Sequence, residues 1–166
     1  MLDWNVRRAL ASDAEGLLAL HARVAADAPW FLAYELDPAS GAEVLQAKLA
    51  GDSRAGDAIL AAGDPIVGAA LLRKHRHPAF AGVLQLAVSV DPSSQRQGVG
   101  RALVAGALAE AERLGTRRVQ LAVIERNLAA VSLFEAMGFE REGCLRSAAV
   151  IGETSYDVIP MAKLLA

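Results

Sequence analysis

The sequence of 166 residues has one cysteine, few aromatic residues (5%) and a nearly balanced charge, with a formal net charge of −2. A single thiol cannot close a disulfide within the chain, which favours a reducing, cytoplasmic setting. No apolar run reaches the roughly 20 residues of a membrane span, and the N-terminus lacks the pattern of a signal peptide. The charge balance gives no reason to expect a nucleic-acid or membrane partner.

Apolar residues, in contrast, are abundant. They make up 54% of the chain, and the mean hydropathy is +0.29. No internal repeat, linker or low-complexity segment divides the sequence. We therefore expect a single domain over residues 1–166 with a sizeable hydrophobic core.

The most informative stretch runs from residue 83 to residue 114. Residues 83–90 are aliphatic and alternating, which predicts a β-strand. Gly98 and Gly100 follow, and apolar residues at helical spacing then continue to Leu114. Because a helix N-terminus has free N–H groups and a positive dipole end, this strand, turn and helix predict a site for a phosphorylated ligand.

The spacing of the glycines narrows the choice of ligand. A dinucleotide fingerprint needs a third glycine where this chain has Leu103, and a P-loop needs a Gly-Lys-Ser/Thr sequence that is absent. What remains is Gln95-x-x-Gly98-x-Gly100. A second motif, from Asn127 to Phe139, reads N-x-x-A-x-x-L-F-E-x-x-G-F and follows a predicted strand at 118–123.

Together the two motifs resemble those of the GCN5-related N-acetyltransferase (GNAT) family. The resemblance implies an α/β fold with a single mixed central sheet of about seven strands and four helices. The sheet would be splayed at the strands that flank the acyl-CoA loop. The order of the predicted elements, β-α-α-β-β-β-α-β-α-β-β, agrees with that fold.

The remaining elements follow from local signals. A capping box at residues 12–15 predicts the start of the first helix, and Gly63-Asp64 predicts a tight hairpin turn. The other predicted elements are strands at 4–8, 57–62, 65–72, 139–145 and 154–164, and helices ending near Asp27, at 41–50 and at 127–137.

The resemblance also implies that the chain binds acetyl-CoA and no metal. The backbone N–H of Val88 would bind the thioester oxygen as an oxyanion donor. The residues implied to contact acetyl-CoA are Val88, Ser89, Val90, Gln95, Arg96, Gln97, Gly98, Val99, Gly100, Arg101, Asn127 and Phe134.

Two positions depart from the family pattern. The frequent tyrosine acid is replaced by Phe134, and the glutamate of the strand before the loop by Gln85. Either the thiolate leaves without a dedicated acid, or other side chains supply the proton transfers. The candidates are Ser132 and Tyr156 as acids, and Glu35, Glu125 and Asp157 as bases. Cys144 is expected to be a buried, inert thiol.

The leading functional hypothesis is an N-acetyltransferase that acts on the primary amine of a small molecule, such as an amino acid or an analogue. The alternatives are a non-catalytic acyl-CoA-binding sensor and a protein N-terminal acetyltransferase. Trp30 and Phe31, expected at the acceptor cleft, favour a small acceptor. An exposed edge on the last strands would allow two copies of the chain to pair as a homodimer.

Overall fold

The computed structural model describes residues 4–27, 41–50 and 58–166. These residues form eight strands and four helices, which confirms the predicted α/β class. The strands are β1 (Val6–Arg8), β2 (Ala58–Ala62), β3 (Gly68–Lys74), β4 (Val83–Val90), β5 (Arg118–Ile124), β6 (Glu140–Arg141), β7 (Leu145–Ile151) and β8 (Thr154–Leu164). The helices are α1 (Ala14–Asp27), α2 (Gly41–Ala50), α3 (Val99–Arg113) and α4 (Leu128–Ala136).

The strands form one mixed sheet in the order β1-β2-β3-β4-β5-β8-β6, and β7 pairs separately with β8. The pairing of β4 with β5 is parallel, whereas the other pairings described are antiparallel. The single strand predicted at 139–145 is wrong, because β6 and β7 are separated by residues 142–144. Gly143, with φ of +146°, lies in that break, and such a backbone angle does not continue a pleated strand.

Each face of the sheet packs against one pair of helices. One cluster joins α3 and α4 to side chains of β2, β3, β4, β5 and β8. The other joins α1 and α2 to alternate side chains of β2 and β3, and reaches β4 only at Ala87. In β4 the even-numbered residues Leu84 and Leu86 belong to the α3 and α4 side, so Gln85 faces the α1 and α2 side.

The predicted start of α1 is wrong in detail. A 3₁₀ turn at Ala11–Asp13 precedes the helix, and Ser12 does not serve as the cap. Instead, the Asp13 carboxylate accepts the Leu10 N–H at 2.7 Å and a hydrogen bond from Arg7 Nη2 at 2.9 Å. The ion pair between Asp13 and Arg7 of β1 therefore determines how α1 begins, rather than the capping box predicted at Ser12.

The hairpin predicted around Gly63-Asp64 is confirmed by the antiparallel pairing of β2 with β3, but the tight turn predicted there is wrong. Residues 63–67 form a longer connection, closed by the Val67 N–H, which donates to the Ala62 carbonyl at 3.0 Å. Pro65 has no N–H to contribute to a ladder, so β3 begins at Gly68 rather than at 65. The predicted bounds of α2, β4 and β8 are confirmed. None of the described helices is long and apolar enough to cross a membrane.

Candidate functional site

Strands β4 and β5 pair over only three residues and then part. Residues 83–85 lie beside residues 118–120, whereas β4 continues to Val90 and pairs with β3 from Leu84 to Val90. From residue 86 onwards, one edge of β4 therefore has no β5 partner. This gap confirms the predicted splay of the sheet beside the glycine-containing loop.

Two backbone hydrogen bonds identify the groups that face the gap. At one end the Asp91 N–H donates to Val67 O at 2.8 Å, towards β3, and at the other Gly82 O accepts from the Arg118 N–H at 3.1 Å, towards β5. The β3 register between them is unbroken. Because backbone groups alternate along a strand, those of Val88 and Val90 point into the gap.

Ser89 has a different role from its two neighbours. By the same alternation its backbone points to β3, and its side chain is buried, with 7% of the residue exposed. Its hydroxyl lies 3.5 Å from the carbonyl oxygen of Ala69. Of the three predicted strand contacts, the backbone direction therefore favours Val88 and Val90.

The loop after β4 is held by the buried carboxylate of Asp91. This carboxylate accepts the Ser93 N–H at 3.0 Å and the Ser93 hydroxyl at 2.6 Å, and it pairs with Arg23 of α1. These hydrogen bonds, first those from Ser93 and then that from Arg23, hold the pKa of Asp91 below its usual value. Asp91 is consequently charged at neutral pH and anchors the loop to α1.

The loop ends at Gly98, which caps the N-terminus of α3. Its φ of +89° is in the left-handed region that favours glycine. Among the described residues no side chain caps the helix, so the N–H groups of its first turn remain available for an anion. The Trp4 indole N–H donates to Gln97 O at 2.9 Å and ties the loop to the segment before β1. Arg96 and Arg101 are exposed beside it.

Gly100 has a packing role that the motif alone does not reveal. A Cβ atom at this position would lie 3.0 Å from Leu133 Cδ2 and 3.7 Å from Val90 Cγ2. Its lack of a side chain thus lets α3 approach α4 and β4 closely. At Gly98, by contrast, the one described atom near an added Cβ would be Trp4 Nε1, at 4.0 Å. Glycine is therefore needed at this position for its backbone angle and not for space.

The second motif forms α4 and its cap. Asn127 Oδ1 accepts the Ala130 N–H at 3.2 Å, so this residue is the N-cap of the helix. The cap uses the amide oxygen and leaves the Asn127 NH₂ group to donate elsewhere. Phe134 is in the core, 5% exposed, with its ring centroid 5.5 Å from that of Phe139. It has no proton to donate to a thiolate.

Several predicted acid and base candidates meet where β5 ends and β8 begins. The Glu125 N–H donates to Asp157 O at 3.0 Å, and Arg126 lies 5.7 Å from the ring centroid of Tyr156. The Asp157 carboxylate accepts the Ser147 N–H at 2.7 Å, so it also stabilises the irregular part of β7. Ser132 lies apart on the exposed side of α4. Glu35, Trp30 and Phe31 lie outside the described residues.

Cys144 differs from the buried thiol that we expected, because it is exposed. Its Sγ atom lies 3.7 Å from Asp157 Oδ2. Desolvation, followed by the negative charge of Asp157, raises the pKa of the thiol. The expected inertness therefore has a different cause: the thiol stays protonated and is a poor nucleophile.

Sequence reasoning missed a polar chain that crosses from β4 to β5. Gln120 Nε2 donates to Gln85 Oε1 at 3.3 Å, and Arg118 Nε donates to Gln120 Oε1 at 2.9 Å. Arg118 Nη1 in turn donates to Glu142 Oε1 at 2.8 Å. Only the replacement of glutamate by Gln85 hinted at this arrangement, since its members are far apart in sequence.

Comparison with known proteins agrees with this architecture. The acetyltransferase of GNAT family from Streptococcus pneumoniae superposes with a TM-score of 0.85 at 28% identity, over 98% of this chain and all (100%) of the other. Mycothiol acetyltransferase of Geodermatophilus obscurus is 50% identical over 54 residues, which is 32% of this chain but 18% of that protein. The [ribosomal protein bS18]-alanine N-acetyltransferase of Escherichia coli is 37% identical over 75 residues, 45% of this chain and 51% of the relative.

The matched segments thus span about half or less of these curated relatives. The family model described as "Acetyltransferase (GNAT) family" matches residues 23–139, which is most of the chain. That range includes the gap between β4 and β5, the loop, α3 and α4. The chain belongs to the acetyltransferase (GNAT) family.

Proposed function

We propose that the chain, as one domain over residues 1–166, is an acetyl-CoA-dependent N-acetyltransferase for the primary amine of a small molecule. The observation that carries this proposal is the unpaired edge of β4, which leads directly to the uncapped N-terminus of α3. The edge offers backbone hydrogen bonds to an extended, amide-containing arm, and the helix end offers N–H groups to a pyrophosphate. The strand edge and the helix end, which we call the cofactor groove, therefore suit the two parts of coenzyme A.

The residues of the groove fit this cosubstrate. The N–H groups of the first turn of α3 bind the pyrophosphate, and the exposed Arg96 and Arg101 add positive charge. Val88 and Val90 pair with the pantetheine arm, and Asn127 can add its NH₂ group from the opposite wall. Bound acetyl-CoA supplies an activated acetyl thioester.

The chemistry is transfer of the acetyl group from sulfur to nitrogen, with loss of one proton from the amine and release of the thiol. The Val88 N–H stabilises the negative charge that develops on the carbonyl oxygen. Neither Phe134 nor Gln85 exchanges a proton, and a thiol with a pKa of about 8.5 is a tolerable leaving group without a dedicated acid. Glu125, Tyr156 and Asp157, gathered beyond the gap, remain our candidates for proton transfer, together with Ser132 and Glu35.

The test is thiol release from acetyl-CoA, followed with a thiol reagent, while the protein is offered amino acids, polyamines, amino-sugar antibiotics and short peptides. Release that depends on a small amine is the expected result, and mass spectrometry of the product identifies the acetylated nitrogen. Tight acetyl-CoA binding by calorimetry without release for any acceptor would contradict the enzyme and favour the sensor.

A protein N-terminus is the second candidate acceptor. The observation in its favour is the similarity to the bS18-alanine N-acetyltransferase of Escherichia coli over 75 residues. Peptides that begin with alanine, compared with free alanine in the same assay, separate the two acceptors. A kcat/KM at least tenfold higher for the peptides would replace the small-molecule proposal.

A homodimer also stays a proposal. Strand β7 is an edge strand with exposed apolar side chains, since Leu145 is 53% and Val150 67% exposed. An open strand edge of this kind can pair with a second copy. Sedimentation velocity with and without a Val150→Lys substitution measures this directly.

A further inference from the structure

The amide pair of Gln85 and Gln120 lies at the closed end of the gap. These two residues form the last register pair before β4 and β5 part. Both side chains are on the sheet face towards α1 and α2, where neighbouring Ala122 is exposed and Pro160 is half-buried. The pair is therefore beside an open part of that face and three residues along β4 from Val88, where the acetyl group would be held.

The chain of hydrogen bonds determines which way each amide points. A guanidinium group can only donate, so the Gln120 atom that lies 2.9 Å from Arg118 Nε must be the amide oxygen. The NH₂ group of Gln120 therefore donates to Gln85 at 3.3 Å, and Gln85 must accept this hydrogen bond with its amide oxygen. The NH₂ group of Gln85 is left as the outward donor.

Arg118 is itself held in place by Glu142. The two side chains form a pair with Arg118 Nη1 at 2.8 Å from Glu142 Oε1, and this hydrogen bond raises the pKa of Arg118 and lowers that of Glu142. The guanidinium is therefore oriented from one side by a carboxylate and from the other by the Gln120 oxygen. A reversed amide would place an NH₂ group against the guanidinium, with two donors facing each other.

We propose that the NH₂ group of Gln85 hydrogen-bonds an oxygen that the acceptor carries close to its amine, either a carboxylate oxygen or an amide carbonyl oxygen. Gln120 and Arg118 act as positioning residues that keep this donor outward. The inference rests on the proposed acetyltransferase function and narrows its acceptor class to amines with such an oxygen. A glutamate at position 85 would present only acceptor atoms there, so the replacement reverses the polarity of the site.

The dimensions suit a small acceptor. A strand rises about 3.3 Å per residue, so the three steps from Gln85 to Val88 cover about 10 Å. A thioester held at Val88 and a hydrogen bond to Gln85 would take up most of that distance, which leaves room for an amine and an oxygen only a few bonds apart. An α-amino acid and an aminoacyl peptide end both have this spacing.

The experiment compares acceptors that differ only at this oxygen. We would measure thiol release with alanine, leucine and methionine, with the amide of each, and with the corresponding decarboxylated amines. Turnover of the acids or amides, with kcat/KM about ten- to hundredfold above that of the decarboxylated amines, is the expected result. A preference for the free acids indicates an amino acid, and a preference for the amides indicates a peptide end.

The variant Gln85→Glu tests the donor itself. Its carboxylate can still accept from Gln120, so we expect the fold to be kept while KM for the free acids rises about tenfold or more. Gln120→Glu still accepts from Arg118 but has no proton for Gln85, and it should raise KM for the same acceptors with kcat unchanged. Gln46→Glu makes the same charge change on the exposed surface of α2 and is the matched control.

Different outcomes would contradict the role of Gln85 and the proposed acetyltransferase activity. Equal kcat/KM for the acids and the decarboxylated amines, or an unchanged KM in Gln85→Glu, would overturn the role of Gln85 while leaving an acetyltransferase. Absence of thiol release with every acceptor, although acetyl-CoA binds, would overturn the acetyltransferase and this inference with it. Thermal unfolding and acetyl-CoA affinity of each variant, both expected to match the parent chain, exclude a general folding defect.

Discussion

The two faces of the sheet are built differently. On the face towards α3 and α4, the apolar cluster extends from β2 across to β8. On the face towards α1 and α2, the cluster among the described residues ends at Ala87 of β4, and β5 presents Gln120 and Ala122 instead. One face is therefore closed by packing, whereas the other keeps polar and accessible positions beside the gap.

This difference separates the two kinds of recognition that we propose. The cofactor side depends on backbone groups and on the placement of α3, which its buried leucines and alanines fix against the sheet. The acceptor side depends on side chains brought together from several strands. Substitutions on the cofactor side should change acetyl-CoA affinity by moving α3. Substitutions on the acceptor side should change which amines are acetylated.

The largest expected effect comes from truncating a core leucine on each face. Leu103 of α3 and Leu17 of α1 are both fully buried, with 0% exposure. We expect Leu103→Ala and Leu17→Ala each to lower the free energy of unfolding by about 2–5 kcal/mol, measured by urea titration. Only Leu103→Ala should also weaken acetyl-CoA binding in calorimetry, because it loosens the helix that carries the anion site. Equal loss of affinity in both variants would contradict the division between the faces.

A smaller effect is expected from glycines at the two ends of α3. Gly98 and Gly115 have φ of +89° and +68°, and alanine in this region costs about 1–2 kcal/mol at either position. Gly98→Ala should reduce acetyl-CoA affinity about tenfold, because relief of the strain moves the first N–H groups of the helix. Gly115→Ala, at the C-terminal end of α3, should lower stability by a similar amount and leave the acetyl-CoA affinity unchanged. Equal affinities for the two variants in calorimetry would remove the anion site from this end of the helix.

The smallest effect concerns Arg7 and Arg8 of β1. Arg8 forms an ion pair with α3 on one face of the sheet, and Arg7 forms one with the turn before α1 on the other face. Arg8 and Arg113 both donate to Glu110 of α3, with Arg113 Nη2 at 2.8 Å. These hydrogen bonds, first those from Arg113 and then those from Arg8, lower the pKa of Glu110 to about 2. Arg7 pairs with Asp13 before α1 and likewise lowers the pKa of that carboxyl.

A lowered carboxyl pKa in the folded state adds stability above the unfolded value of 4.5, and this contribution is lost as the pH falls towards about 2. We expect Glu110→Gln to lower the free energy of unfolding by about 1 kcal/mol at pH 7, after allowance for solvent screening. The variant should also lose less stability than the parent chain as the pH falls from 4.5 to about 2. Asp13→Asn serves as the comparison on the other face. An acid limb unchanged by Glu110→Gln in urea titrations from pH 2 to 7 would show that the ion pair contributes nothing.

Elements with strong local signals could be predicted from the sequence. The alternating residues of β4, the helical spacing of α3 and the Gly115 terminus agree with the structure. The predicted cap at Ser12 failed because Asp13 binds Arg7, a contact set by the position of β1. The tight turn predicted at Gly63-Asp64 failed because the connection extends to Val67, although β2 and β3 do pair as a hairpin.

The sequence by itself determined the family, the order of the elements as far as α4 and the glycine-containing loop, because these depend on residues close together along the chain. Only the tertiary structure decided where β4 and β5 part, since that point depends on the register of β5 with its neighbours. The same holds for the polar chain from Gln85 to Glu142, whose hydrogen bonds join residues up to 35 positions apart. Its direction follows from a guanidinium that can only donate, and no local pattern records which amide lies against it.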